Sequence, residues 1–112
     1  MAERMDHHDL LSGLVRLHVL HHAAQEPVYG QAMIEELARH GYKLSPGTLY
    51  PLLAKMTRDG YLTVSATREG RVTKKYYTIT DHGRAGLALA RTHLRELKGE
   101  VDEEAEEGGA TP

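Results

Sequence analysis

Five backbone breakers divide this chain before any side-chain preference is weighed. Pro27, Gly41, Pro46, Gly60 and Gly70 separate runs whose apolar spacing changes from one to the next, and proline or left-handed glycine ends a helix by backbone geometry alone. From Asp6 to about Ala24, Leu10, Leu14 and Leu17, with Leu11, Val15 and Val19 half a turn away, recur at three- and four-residue spacing. This predicts a helix with a wide apolar face, buried on two sides and closed by Pro27. A second helix of about three turns opens near Tyr29 or Gly30, presents Met33, Ile34, Leu37 and Ala38, and stops at Gly41.

Ser45-Pro46 restarts helix: serine can cap with its hydroxyl, and proline suits the first helical position. Leu49, Leu52, Leu53 and Met56 follow at i, i+3, i+4 and i+7, so one stripe faces a core while Thr48, Tyr50, Lys55 and Arg58 point elsewhere. Pro51 should bend this helix or open its first turn. After Gly60, Leu62, Val64 and Ala66 alternate with Thr63, Ser65 and Thr67; Val72 to Ile79 is β-branched and aromatic, and Arg68-Glu69-Gly70-Arg71 connects the two. That is a hairpin with a basic tip. Of Tyr76 and Tyr77, consecutive on a strand, one faces the core and one the surface. Thr80 can cap a last helix in which Leu87, Ala90, Leu94, Leu97 and Val101 form a heptad seam, and a seam needs a partner helix.

Composition removes several function classes. With 112 residues the chain has room for one modest core, and with no cysteine it has no disulfide, thiolate nucleophile or cysteine-held metal. No apolar stretch has the length of a membrane span or a signal peptide, so the expected location is cytoplasmic. The net charge of −2 conceals an asymmetry. Glu100, Asp102, Glu103, Glu104, Glu106 and Glu107 are six of the sixteen acids, so residues 1–99 carry 14 − 10 = +4. Between Arg39 and Lys75, eight Lys or Arg (Arg39, Lys43, Lys55, Arg58, Arg68, Arg71, Lys74, Lys75) face only Asp59 and Glu69, an excess of +6. A polyanion partner requires such a local excess.

Three helices, a hairpin and a final helix, in that order, make an α+β, mainly helical winged helix-turn-helix followed by a C-terminal dimerisation helix. In that architecture the third helix enters the DNA major groove while the preceding helix and the wing hold phosphates. Ser45, Thr48, Tyr50 and Lys55 are the candidate recognition residues, and Tyr29, Arg68, Arg71, Lys74 and Lys75 the candidate phosphate contacts. Residues 1–80 form the DNA-binding domain, 81–102 the dimerisation helix, and 103–112 a disordered acidic tail.

The run Leu44-Ser45-Pro46-Gly47-Thr48-Leu49-Tyr50-Pro51-Leu52-Leu53, then Gly60-Tyr61-Leu62 and Lys75-Tyr76-Tyr77-Thr78-Ile79-Thr80-Asp81-His82-Gly83, closely resembles the PadR family of transcriptional regulators over roughly residues 10–98. The short last helix suits its small subclass with one C-terminal helix. The resemblance implies a homodimer paired through the first and last helices, Leu10 and Leu14 joining the seam. It also implies repression from an inverted-repeat operator of double-stranded DNA, with release by a small-molecule effector. Two features depart from the family. Its second helix often opens His-Gly-Tyr, whereas here it reads Tyr29-Gly30-Gln31, and the aromatic drug stacking of some relatives finds no Trp or Phe.

Two other readings compete. His18 and His22 lie four apart on one helical face, and His93 could approach them across a dimer, a set able to hold zinc or another borderline metal in a metal-responsive regulator. Histidine-rich surface helices are common and no His-Glu-x-x-His spacing is present, so no cofactor is assigned. A protein-docking winged helix that does not bind DNA is the second alternative, since an acidic tail can mimic nucleic acid. The chain shows no phosphate loop, nucleophile elbow or convergent carboxylates, which argues against an enzyme.

Overall fold

The computed structural model describes residues 7–110, the last six as backbone alone. The elements are α1 (His8–Gln25), β1 (Val28–Tyr29), α2 (Gly30–Arg39), α3 (Pro46–Arg58), β2 (Leu62–Glu69), β3 (Val72–Ile79) and α4 (Asp81–Ala110). Asp6, where the first helix is expected to start, lies outside the described residues. Gly41, Gly60 and Gly70 all take positive φ, at 92°, 86° and 65°, so each expected glycine boundary has the backbone that only glycine adopts without strain. None of the described helices is long and apolar enough to cross a membrane.

The core is built from one side of each helix. Val15, Val19, Leu20 and Ala23 of α1 meet Met33 and Leu37 of α2, Leu49, Leu52, Leu53 and Met56 of α3, and Leu62, Tyr77, Ile79 and Leu87. Burial decides the fate of Pro51. A proline inside a helix costs about 3 kcal/mol, whereas the four apolar side chains that α3 buries contribute roughly 1.5–3 kcal/mol each. The helix accordingly runs unbroken from Pro46 to Arg58 through Pro51.

The sheet has the order β1-β3-β2, antiparallel throughout. Sequence periodicity misses β1, because two residues cannot display a period; Val28 pairs with Tyr77 and Tyr29 with Tyr76. The hairpin extends from Leu62↔Ile79 to Glu69↔Val72, which shortens its connection to Gly70-Arg71. Leu62 alone of β2 is buried, while Val64 is 44% and Val72 55% exposed. Alternating apolar residues therefore overstate the inward face: past the Val64↔Tyr77 pair the ribbon leaves the core and stands out as a wing. A two-stranded ribbon is marginal by itself, so its outer half adds little to the stability of the core.

Thr80 anchors the start of α4 as expected. Its hydroxyl accepts from the Gly83 N–H at 2.9 Å and donates to the Gly60 carbonyl at 2.5 Å. Gly83 lies so close to the end of β3 that a Cβ there would overlap the Tyr61 carbonyl oxygen and sit 2.7 Å from Ile79 Cγ1. Overpacking of this kind costs about 1–3 kcal/mol. Thermal unfolding of Gly83→Ala should therefore show a clearly lowered Tm, and an unchanged Tm would mean that α4 can move off the sheet freely.

At its far end α4 departs from expectation. It continues helical to Ala110, where a disordered tail is expected from residue 103. Glutamate is a good helix former, no glycine or proline lies between Gly99 and Gly108, and Lys98 pairs with Asp102 one turn on. Residues 111–112 of that tail lie outside the described residues.

Candidate nucleic-acid interface

Because the apolar stripe of α3 faces inward, the opposite side is set by elimination. Gly47, Pro51, Ala54, Lys55 and Arg58 are exposed, with Thr48 half-buried beside them. The positions 47, 51, 54 and 58 complement the buried 49, 52, 53 and 56, a signal present in the spacing. Three of them are small, so a partner can come close to the backbone, and Arg58 adds a cation at the edge. No side chain caps the first turn of α3. The Ser45 hydroxyl points instead to Thr48 Oγ1 at 3.4 Å, so the expected hydroxyl cap is replaced by the Ser45 carbonyl, which accepts from Thr48 and Leu49 N–H at 3.0 and 2.9 Å. With proline at its first position and no acid in its first turn, this helix start presents an uncompensated positive dipole end.

Tyr50, expected among the recognition residues, packs toward α2. It is half-buried against the core, and its ring occupies the space over Gly30, where a Cβ would come within 2.5 Å of its Cε1 and hydroxyl. The Tyr77 hydroxyl is pushed above its ordinary value by burial and then by Tyr50. Tyr50 thus fixes the approach of α2 to α3. This explains why glycine follows Tyr29 at the head of α2.

The wing cations separate into two sets, because residues opposed across strands share a face. Glu69, Lys74, Tyr76 and Tyr29 lie on one face; Arg68 and Lys75 continue the face that carries Leu62, Tyr77 and Ile79. Lys74 is already engaged: its Nζ is 3.2 Å from Glu69 Oε1 and 5.0 Å from the centre of the Tyr29 ring. Its pKa is raised, chiefly by the Glu69 hydrogen bond. Tyr76 also donates to Glu69, at 3.2 Å, and its ring lies 5.8 Å from that of Tyr29. Of the surface pair of strand tyrosines, Tyr77 is the buried one and Tyr76 the outer one.

Local pairing reduces the charge excess read from composition. Arg39 pairs with Glu36, Lys55 with Asp59 at 3.0 Å and Lys74 with Glu69. Eight cations less these three leave five, Lys43, Arg58, Arg68, Arg71 and Lys75, without an ion-pair partner among the described residues. Exposed pairs of this kind are weak, so Lys55 and Lys74 can exchange partners, but the five need no exchange. Lys43 lies in the turn before α3, Arg58 at its exposed end, and Arg68, Arg71 and Lys75 on the wing.

The seam residues of α4 are also divided. Leu87 is buried in the chain's own core, and Ala90 is half-buried, whereas Leu94, Leu97 and Val101 are 38%, 56% and 54% exposed. On α1, Leu10 is 78% and Leu14 38% exposed. Leu10, Leu14, Leu17, Leu20, Met56, Tyr61 and Leu97 line an apolar groove of about 630 Å³ between the two helices.

The comparisons with known proteins agree with this geometry. Residues 19–89 match the model of the transcriptional regulator PadR-like family. Over 89 residues the chain is 51% identical to the transcriptional regulator Rv3488 of Mycobacterium tuberculosis, a match covering 78% of this chain and 81% of that one. Among solved structures it is similar to a PadR family regulator from Eggerthella lenta, at 32% identity and TM-score 0.77, covering 88% and 87% of the two chains. It is similar likewise to a PadR-like regulator from Bacillus cereus, at 27% identity and TM-score 0.78, covering 87% and 96%. The winged-helix order, the outward face of α3 and these matches together identify the chain as a member of the PadR-like family, a transcriptional regulator and not an enzyme.

Proposed function

We propose that this protein is a homodimeric, sequence-specific repressor in the cytoplasm, which reads an inverted-repeat operator with α3, grips phosphate with its wing and is released by a small molecule. The observation that carries the reading is the set of five cations without an ion-pair partner among the described residues, Lys43 in the turn before α3, Arg58 on its exposed side, and Arg68, Arg71 and Lys75 on the wing. Gly47, Thr48, Pro51, Ala54 and Arg58 face base edges; Ser45 and the start of α3 meet a phosphate; Arg68, Arg71 and Lys75 meet the flanking backbone. Tyr29 and Lys74 serve mainly to brace the wing against β1. The exposed Leu10, Leu14, Leu94, Leu97 and Val101 supply the surface for a second copy, and the part of the apolar groove that the second copy leaves open receives the effector.

Binding of a fluorescent duplex covering the protein's own upstream region, measured across salt concentrations, tests this. Each neutralised phosphate contributes about −0.9 to the slope of log affinity against log salt, so five to ten engaged cations per dimer predict a slope of roughly −4 to −9. A slope near zero, or no preference over shuffled DNA, would favour a protein-docking role for the same surface.

A further inference from the structure

His18 and His22 stand one turn apart on α1, and the end of α2 brings His40 beside them. One ring nitrogen from each of the three lies within 4.8 Å of the others. The rings are inclined to one another by 15–32°, with centroids 4.8 Å apart for His18 and His40, 6.2 Å for His22 and His40, and 6.4 Å for His18 and His22. Tyr42 closes one side with its ring 5.2 Å from His18. The Nε2 of His22 is buried without a hydrogen-bond partner. Glu36 stands behind the cluster, with Oε2 3.0 Å from His40 Nε2 and 3.6 Å from His22 Nε2, and its other oxygen held by Arg39.

We propose that His18, His22 and His40 form a binding site for a divalent transition metal of the zinc class. Each neutral imidazole offers one lone pair, and no hydrogen bond joins these three rings to one another, the buried Nε2 of His22 having no hydrogen-bond partner. A single cation accepts all three. Zinc holds imidazole nitrogens at about 2.0–2.1 Å, which sets ligand nitrogens roughly 3.4 Å apart in a tetrahedron. The nitrogens here need to close by little more than an ångström, within reach of side-chain rotation at half-buried and exposed positions. The surroundings favour the ligating form, since burial and the neighbouring histidines hold His18 below its ordinary value, and burial does the same for His22 against the pull of Glu36. Glu36 fixes ring orientation, as carboxylates behind metal-bound histidines commonly do. Nitrogen donors without thiolate suit zinc, cobalt or nickel over the hard cations.

The position of the site gives it a consequence for regulation, one that rests on the DNA-binding reading above. His40 ends α2 and leads through Gly41 and Tyr42 into α3. A metal held jointly with His18 and His22 ties α1 to the turn that seats α3, so occupancy and operator affinity are linked.

The test is a titration of the chelator-stripped, full-length protein with Zn²⁺, and with Co²⁺ for its visible absorption. One ion per chain with a tetrahedral cobalt spectrum is expected. His18→Ala and His40→Ala should each weaken binding by at least about tenfold, and Glu36→Gln by about ten- to a hundredfold. His93→Ala should leave it unchanged, with circular dichroism confirming that every variant is folded. Absence of stoichiometric binding, or binding that survives His40→Ala, overturns the site. Operator affinity that ignores Zn²⁺ in a metal-binding protein overturns the regulatory link, and a protein that takes up metal but binds no DNA refutes the repressor reading while the site stands.

Discussion

Substitution of Arg71 and Lys75 by glutamate should reduce operator affinity by about a hundredfold or more and lower the salt slope by about two for each wing, while the protein stays folded. Both side chains are exposed, Arg71 in the turn of the wing and Lys75 on β3, with no ion-pair partner among the described residues. Each substitution removes one counterion-releasing contact and sets a like charge against phosphate, so the losses compound. Lys74→Glu supplies the contrast. Because Lys74 is tied to Glu69 and leans over Tyr29, its reversal acts first on the packing of the wing against β1 and should change DNA affinity less than Lys75→Glu. Equilibrium titrations at two salt concentrations separate the cases. Equal losses for Lys74→Glu and Lys75→Glu would mean that the ion pair opens on binding and that both faces of the ribbon meet DNA.

Much of this architecture is legible in the sequence because backbone rules wrote it. Gly41, Gly60 and Gly70 mark boundaries through a φ that other residues avoid, and Leu49, Leu52, Leu53 and Met56 mark a buried stripe by period alone. What escapes is whatever depends on distant residues meeting. Tyr50 sits at a solvent-like phase of α3, yet it fills the space over Gly30 twenty residues earlier. The charge count between Arg39 and Lys75 includes Arg39, but its partner Glu36 lies just outside that window. His40 belongs with His18 and His22 only because α2 folds back along α1, and no periodicity spans that turn. Conversely, the outward positions 47, 51, 54 and 58 were available as the complement of the core stripe. Small residues conceal that face from a search for polar side chains.

Leu94→Asp should convert a dimer into monomers and weaken binding to an inverted repeat by several orders of magnitude, with little effect on a single half-site. The seam supplies the reason. Leu94 is 38% exposed in the isolated chain, so the aspartate is tolerated there as a solvated surface group. Facing a second copy, two carboxylates would enter an apolar contact symmetrically, and an uncompensated buried charge costs about 3–5 kcal/mol. With about 1.4 kcal/mol per factor of ten, one such penalty weakens dimerisation roughly a hundred- to a thousandfold. Leu87→Asp offers a different outcome from the same heptad. Leu87 is 6% exposed within the chain's own core, so its replacement should unfold the protein rather than dissociate it. Sedimentation and thermal melting of the two variants together resolve the matter. A Leu94→Asp protein that remains a dimer would remove α4 from the interface and leave the exposed Leu10 and Leu14 of α1 as the remaining apolar surface for a second copy.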